Sequence, residues 1–252
     1  HGVKPPTAPA AAPAGSTVSA VPPVGAIAHL VIMAASLAEG VAWCEVTLGV
    51  TPGPGGEHPL MGTHNRLLRL ATADFPLAYL EIIAINPIAA HGQRTAGRRW
   101  FDMENPGLST QVAREGPQLI HWVARVPDVR AAVASLAAQG LHRGEVIQAS
   151  RATPSGLLQW QITVRPDGQR LFDGCLPTLI QWGDTHPAAS MPDSGVTLKA
   201  LELQHPDAAA LRAACDRLGL VQATVKPGPA RLSARLQTPK GLIELHSGNP
   251  LS

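Results

Sequence analysis

The longest apolar stretch, Ala26 to Ala35, is broken by His29 and falls short of the roughly 18 residues that a membrane-spanning helix needs. A helical membrane protein is therefore not expected. Cysteine is scarce as well: Cys44, Cys175 and Cys215 are odd in number, far apart, and form no CxxC pair. That argues against a disulfide framework or a cysteine-built zinc site, and fits reduced thiols in the cytoplasm. Charge of one sign is also lacking, since 20 Lys and Arg face 18 Asp and Glu for a net charge of +2. Nothing in that balance points to nucleic acid. No P-loop, GxGxxG fingerprint or HExxH helix occurs. Ser109, Ser155 and Ser233 sit in no GxSxG context, so a nucleophile elbow is excluded.

Hydrophobic residues make up 45% of the 252-residue chain, enough for one large core or two small ones. Residues 1–24 are rich in Pro and Ala, lack the charged and apolar regions of a signal peptide, and read as an extended arm or linker. After them, one pattern recurs three times. The runs Ile27 to Ile32, Leu119 to Val123 and Leu198 to Leu203 read as strands. Each is followed by a helical stretch, as in Val129, Ala132, Val133 and Leu136, where apolar residues recur at i, i+3, i+4 and i+7. Ser36 and Asp128 are suited to N-cap their helices, and Asp207 belongs in the first turn of the third. Gly140 and Gly219 fit the position just beyond a helix end. Further strand-like runs follow each helix: 65–71 and 77–85, then 157–164 and 176–182, then 221–225, 230–237 and 241–246. The expected fold class is α+β, with three βαβββ modules, the first two paired into a cup-shaped sheet. Residues 25–190 would hold that pair and 191–252 the third module. The joining stretch 86–117 is long for a connection and carries Arg94, Arg98, Arg99, Trp100 and Phe101, as a pocket wall or lid would. A loop packed over an edge strand is the other reading.

Polar side chains inside apolar strands are the candidates for chemistry. His29 and His121 hold matching places in the first strands of modules one and two, each eight residues before a matching helix position, while module three has Ala200 there. The last strands carry a second matched set: Glu81, Gln181 and Glu244. A buried carboxylate is costly unless paired or bound to a metal. Imidazole nitrogens with carboxylate and amide oxygens suit a divalent metal such as zinc, nickel, manganese or iron. Arg99 and Arg151 have the guanidinium fork that matches a carboxylate, and Trp100, Trp160 and Trp182 are suited to lining a pocket. A surface arginine and a core tryptophan are the plain alternatives.

In their order along the chain, several short stretches resemble the vicinal oxygen chelate superfamily, and within it the glyoxalase-like domain. These are Ala28-His29-Leu30-Val31, Arg99-Trp100-Phe101, Leu157-Leu158-Gln159-Trp160, Leu176-Pro177 with Ile180-Gln181-Trp182-Gly183, and His186-Pro187-Ala188. The resemblance spans roughly Gly25 to Ser247. It implies four metal ligands on the first and last strands of two paired modules: His29, Glu81, His121 and Gln181. Gln181 departs from the commoner Glu, which leaves Glu81 as the proton-transferring group. The resemblance further implies a metal-dependent lyase, isomerase or dioxygenase acting on a small oxygenated, anionic molecule. The competing expectation is a metal-free protein of the bleomycin-resistance type that sequesters a small molecule in an aromatic cleft. An odd module count leaves the third either to pair across a homodimer or to cap its own chain.

Overall fold

A computed structural model describes residue 2, residues 24–89 and residues 98–248. Most of the Pro/Ala-rich arm, and Arg94 in the joining stretch, lie outside the described residues. Module one consists of β1 (Ala26–Met33), α1 (Leu37–Leu48), β2 (Glu57–His58), β3 (Thr63–Arg69) and β4 (Tyr79–Ile85). The helix α2 (Pro106–Glu115) follows. Module two is β5 (Gln118–Arg125), α3 (Val129–Ala138), β6 (Glu145–Thr153), β7 (Gly156–Val164) and β8 (Thr178–Trp182). The third unit is β9 (Thr197–His205), α4 (Ala208–Arg217), β10 (Ala223–Pro227), β11 (Arg231–Thr238) and β12 (Gly241–His246).

Local chemistry sets the helix ends. The side chains of Ser36, Asp128 and Asp207 accept hydrogen bonds from the backbone N–H of Glu39, Ala131 and Ala210, which satisfies orphan donors of α1, α3 and α4. Gly140 and Gly219 follow α3 and α4 with φ of 83° and 65°, a region glycine enters without penalty.

The first two modules form one curled eight-stranded sheet in the order β2-β3-β4-β1-β5-β8-β7-β6. Their seam is the antiparallel β1–β5 pair, in which Leu30 lies opposite Trp122. All eight residues of β1 are buried. The third unit repeats the element order but not the strand order. Its sheet runs β10-β9-β11-β12, with β10 parallel to β9 and β11 antiparallel on the other flank. It packs on its own chain: Leu201, Leu203, Leu211 and Leu232 share one core with Leu70, Trp122 and Leu176.

A second core fills much of the other face of the large sheet. There Phe101 and Met103, with Leu108 and Val112 of α2, pack on Val31, Ile83, Ile120 and Val123. So the described part of the joining stretch is a wall built into the cup. Phe101 and Asp102 adopt positive φ, of 60° and 56°. Asp102 is held by the backbone N–H and the Nε–H of Arg170, which fixes that strained turn.

Candidate functional site

The wall leaves one half of the cup open. His29 on β1 and Glu81 on β4 meet there, with His29 Nε2 3.5 Å from Glu81 Oε1. Strand geometry explains the meeting: Glu81 is in register with Val31, two residues along β1 from His29, on the same face. Each is about 5% exposed. Glu81 Oε2 accepts a 2.7 Å hydrogen bond from the amide of Asn65, and His58 Nε2 lies 3.8 Å from that same oxygen. His58 is held through Nδ1 by the Thr63 hydroxyl at 2.9 Å. Tyr79, the single tyrosine of the chain, stacks on His29 with ring centroids 4.6 Å apart.

Burial alone would raise the Glu81 carboxyl, but its contact with His29, aided by His58 and Asn65, holds it below the usual carboxylate range. It is an anion at neutral pH. Burial pushes the His58 imidazole down, and Arg151, His29 and His64 add to that against the pull of Glu81. Burial, then Glu81, lift the Tyr79 hydroxyl well above its ordinary value. His186, edge-on to Tyr79, is pushed down to about 4 by burial, Arg125 and His29.

His29, His58, Asn65, Tyr79 and Glu81 line a cavity of about 60 Å³, walled by Trp100, Phe101, Trp160 and Trp182. Trp100 meets the His58 ring edge-on at 5.0 Å, and Trp160 and Trp182 face each other across β7 and β8 at 5.4 Å. Arg151 of β6 also lines the cavity, and its guanidinium lies against Gly56, where a Cβ would collide with it. Among the described residues no carboxylate pairs with Arg151. Several buried polar atoms of these lining residues find no hydrogen-bond partner: His29 Nδ1, Glu81 Oε1, Trp100 Nε1, Trp182 Nε1 and Arg151 Nε. Buried polar groups are nearly always satisfied, so a group of them around one cavity marks a place for ordered water or a polar ligand.

The structure does not bring all the expected residues together. His29, Glu81, Trp100, Arg151, Trp160 and Trp182 line the cavity. His121 does not. It is fully buried beneath Phe101, with Nδ1 donating to the Gly174 carbonyl at 2.8 Å and Nε2 accepting from the Thr178 backbone N–H at 3.1 Å. Both ring nitrogens are spent. Burial, then Arg143 and Arg170, push it well below the usual histidine range, so it is neutral. Gln181 points away, its side-chain oxygen accepting from Val129 N–H at the start of α3. It ends a row of three glutamines in register across β6, β7 and β8, with Gln148 and Gln161. Arg99 does not line the cavity either: its Nη1 pairs with Glu104 at 2.7 Å and its Nε donates to the Met61 carbonyl.

The four-ligand set therefore does not fit a metal. One imidazole and one carboxylate remain of it, and that carboxylate already holds Asn65. Among the described residues, no three His, Cys, Asp or Glu side chains are placed to hold a metal ion. The sequence reading missed Asn65, His58 and Tyr79. Tyr79 was findable, because strand alternation puts it on the same face as Glu81; His58 and Asn65 carry no such signal.

A curled sheet of paired modules around a His–Glu floor defines a protein of the vicinal oxygen chelate class. The chain belongs to the glyoxalase-like domain family, whose sequence model matches residues 27–219. No curated protein matches. Among solved structures, it is similar to a hypothetical protein from Staphylococcus aureus, at 14% identity over 88% of this chain and 85% of that one, with a TM-score of 0.51. Methylmalonyl-CoA epimerase from Streptomyces coelicolor matches at 16% identity over 63% of this chain and 94% of its own, with a TM-score of 0.38. The Mycobacterium tuberculosis epimerase matches at 15% identity, over 66% and 92%, with a TM-score of 0.36. Among the described residues, no helix is long and apolar enough to cross a membrane.

Proposed function

We propose that this chain is an enzyme that moves a proton on a small, oxygenated anion held over His29 and Glu81. The observation that carries the reading is the set of unpaired buried atoms around the cavity: a carboxylate oxygen, an imidazole nitrogen and two indole N–H donors. Glu81 is ionised, so it can accept a proton through Oε1 while Asn65 anchors Oε2. His29 sits against Oε1 and can share or relay that proton. The indole N–H groups of Trp100 and Trp182 are unspent donors for an oxyanion that develops as the proton leaves. Arg151 supplies the cation for the anionic end of the molecule. The reaction class is proton abstraction next to a carbonyl, as in an isomerase or lyase. No step of it is routed through a metal, since His121 and Gln181 do not join His29 and Glu81 as a donor set.

The test is exchange of α-protons for deuterium in a panel of short 2-oxo acids, followed by proton NMR. Glu81→Gln should slow exchange by about 10²–10⁴. Exchange that is equal in wild type and variant would sink the proposal. The second reading, a sequestering protein, is favoured by the aromatic walls; tight binding without exchange in the wild type would select it. Two further parts belong to the proposal. Placement in the cytoplasm is supported by three buried, unpaired thiols. A homodimer is supported by β6, a nine-residue strand at the sheet edge, and light scattering decides it.

A further inference from the structure

We infer that the molecule bound over His29 and Glu81 carries an apolar tail, and that the tail lies in the groove between Leu60 and Ile147. The inference rests on the reading above. The cavity has about 60 Å³. At about 10–15 Å³ for each water-sized group, that holds only a small head. The rest of any larger ligand must leave past the residues at its mouth.

Two grooves flank that mouth, and Arg151 borders both. One, of about 510 Å³, mixes Leu67, Leu68, Leu158 and Met191 with Thr153, Ser155 and Asp193, and holds no aromatic side chain. The other, of about 380 Å³, is lined by Leu60, Met61, Ile147, Ile162 and Val164. It shares Glu57, His58, Trp100, Arg151, Trp160 and Ile162 with the cavity, so it continues the same aromatic wall outward. Leu60 is 41% exposed there, a large side chain on a surface groove without cover. Arg151 would hold the anionic head at the junction, with the chain running along Ile147 and the aromatic wall.

The test uses straight-chain 2-oxo acids from pyruvate to 2-oxodecanoate, titrated calorimetrically into the full chain. Affinity should rise by up to about fourfold for each methylene until the groove is full. Leu60→Asp, on the exposed rim, and Ile147→Asp should each flatten that rise and leave pyruvate binding unchanged. Pyruvate binding with no chain-length dependence in the wild type would overturn the inference and leave the head site standing. So would a rise that survives both variants. A flat response in a dimeric wild type, with Leu60→Asp monomeric, would assign the groove to a second copy and overturn it too. No binding at any chain length would overturn the proton-transfer reading and the tail with it.

Discussion

Thr178 holds in module two the position that Glu81 holds in module one. Glu81 is in register with Val31, and Thr178 is in register with Val123. Each therefore stands two residues along from its histidine, His29 or His121. The pseudo-symmetric cup thus has one corner with a carboxylate and one without. His29 and Glu81 stay open to a cavity, while His121 and Thr178 close on each other at 2.9 Å. A hydroxyl in place of a carboxylate lets one half of the cup close on itself.

His121 should accordingly matter for folding and not for ligand binding. His121→Ala leaves the Gly174 carbonyl and the Thr178 N–H without partners and opens a void under Phe101. The expected loss is about 2–4 kcal/mol in denaturant unfolding. His29→Ala should abolish binding of the anion, which His121→Ala should leave intact. The reverse pattern would contradict the division between the two halves.

Stability should fall on acidification in two stages. His121, His58 and His186 are all held below the ordinary histidine value when folded, so each binds its proton more readily unfolded. Their contribution is complete above about pH 6.5 and is lost as pH falls towards their folded values, near 4 for His186. Glu81 is held below the ordinary carboxylate value, so its contribution is present above about pH 4.3 and is lost as pH falls further. Melting temperatures of the wild type and Glu81→Gln should differ in slope in that lower window. Parallel curves there would show that Glu81 is not so held.

Arg151→Met should weaken anion binding by about 10- to 100-fold, the worth of a charged hydrogen-bonded contact. Its effect on unfolding should stay within about 0.5 kcal/mol, because no carboxylate depends on it. Calorimetric titration and a thermal melt on one sample check both. A large loss of stability would instead make Arg151 a structural residue.

Gln181→Ala should cost about 1 kcal/mol, since it uncaps Val129 N–H at the start of α3. Ligand affinity should not change. A change of tenfold or more would mean that the residue reaches the cavity after all.

Much of the fold was legible, because it is written in local chemistry. Strand runs, helix periodicity and the caps at Ser36, Asp128 and Asp207 all read directly from neighbouring residues. The helix α2 was not, since only Leu108 and Val112 of its ten residues are buried and its start rests on the Asn105-Pro106 cap. Half of the site was legible too, where His29 and Glu81 share a face. The other half depended on register. Gln181 resembles a last-strand ligand in sequence, but β8 pairs with β5 from Thr178 onward, so Gln181 falls on the opposite face. Pairing between strands more than fifty residues apart leaves no local trace. The same holds for the filling of the cup by Phe101 and Met103.

The β1–β5 seam also bears on how the chain can be divided. Neither half of the large sheet is a free-standing piece. Severed between β4 and α2, the first half would bare an eight-residue strand whose side chains are all buried in the intact sheet. The second half would bare β5 in the same way. Each fragment would offer a greasy, unpaired border to any passing strand and precipitate with its own kind. Co-expressed, the two borders are each other's best cover, so split halves should reassemble where single ones aggregate.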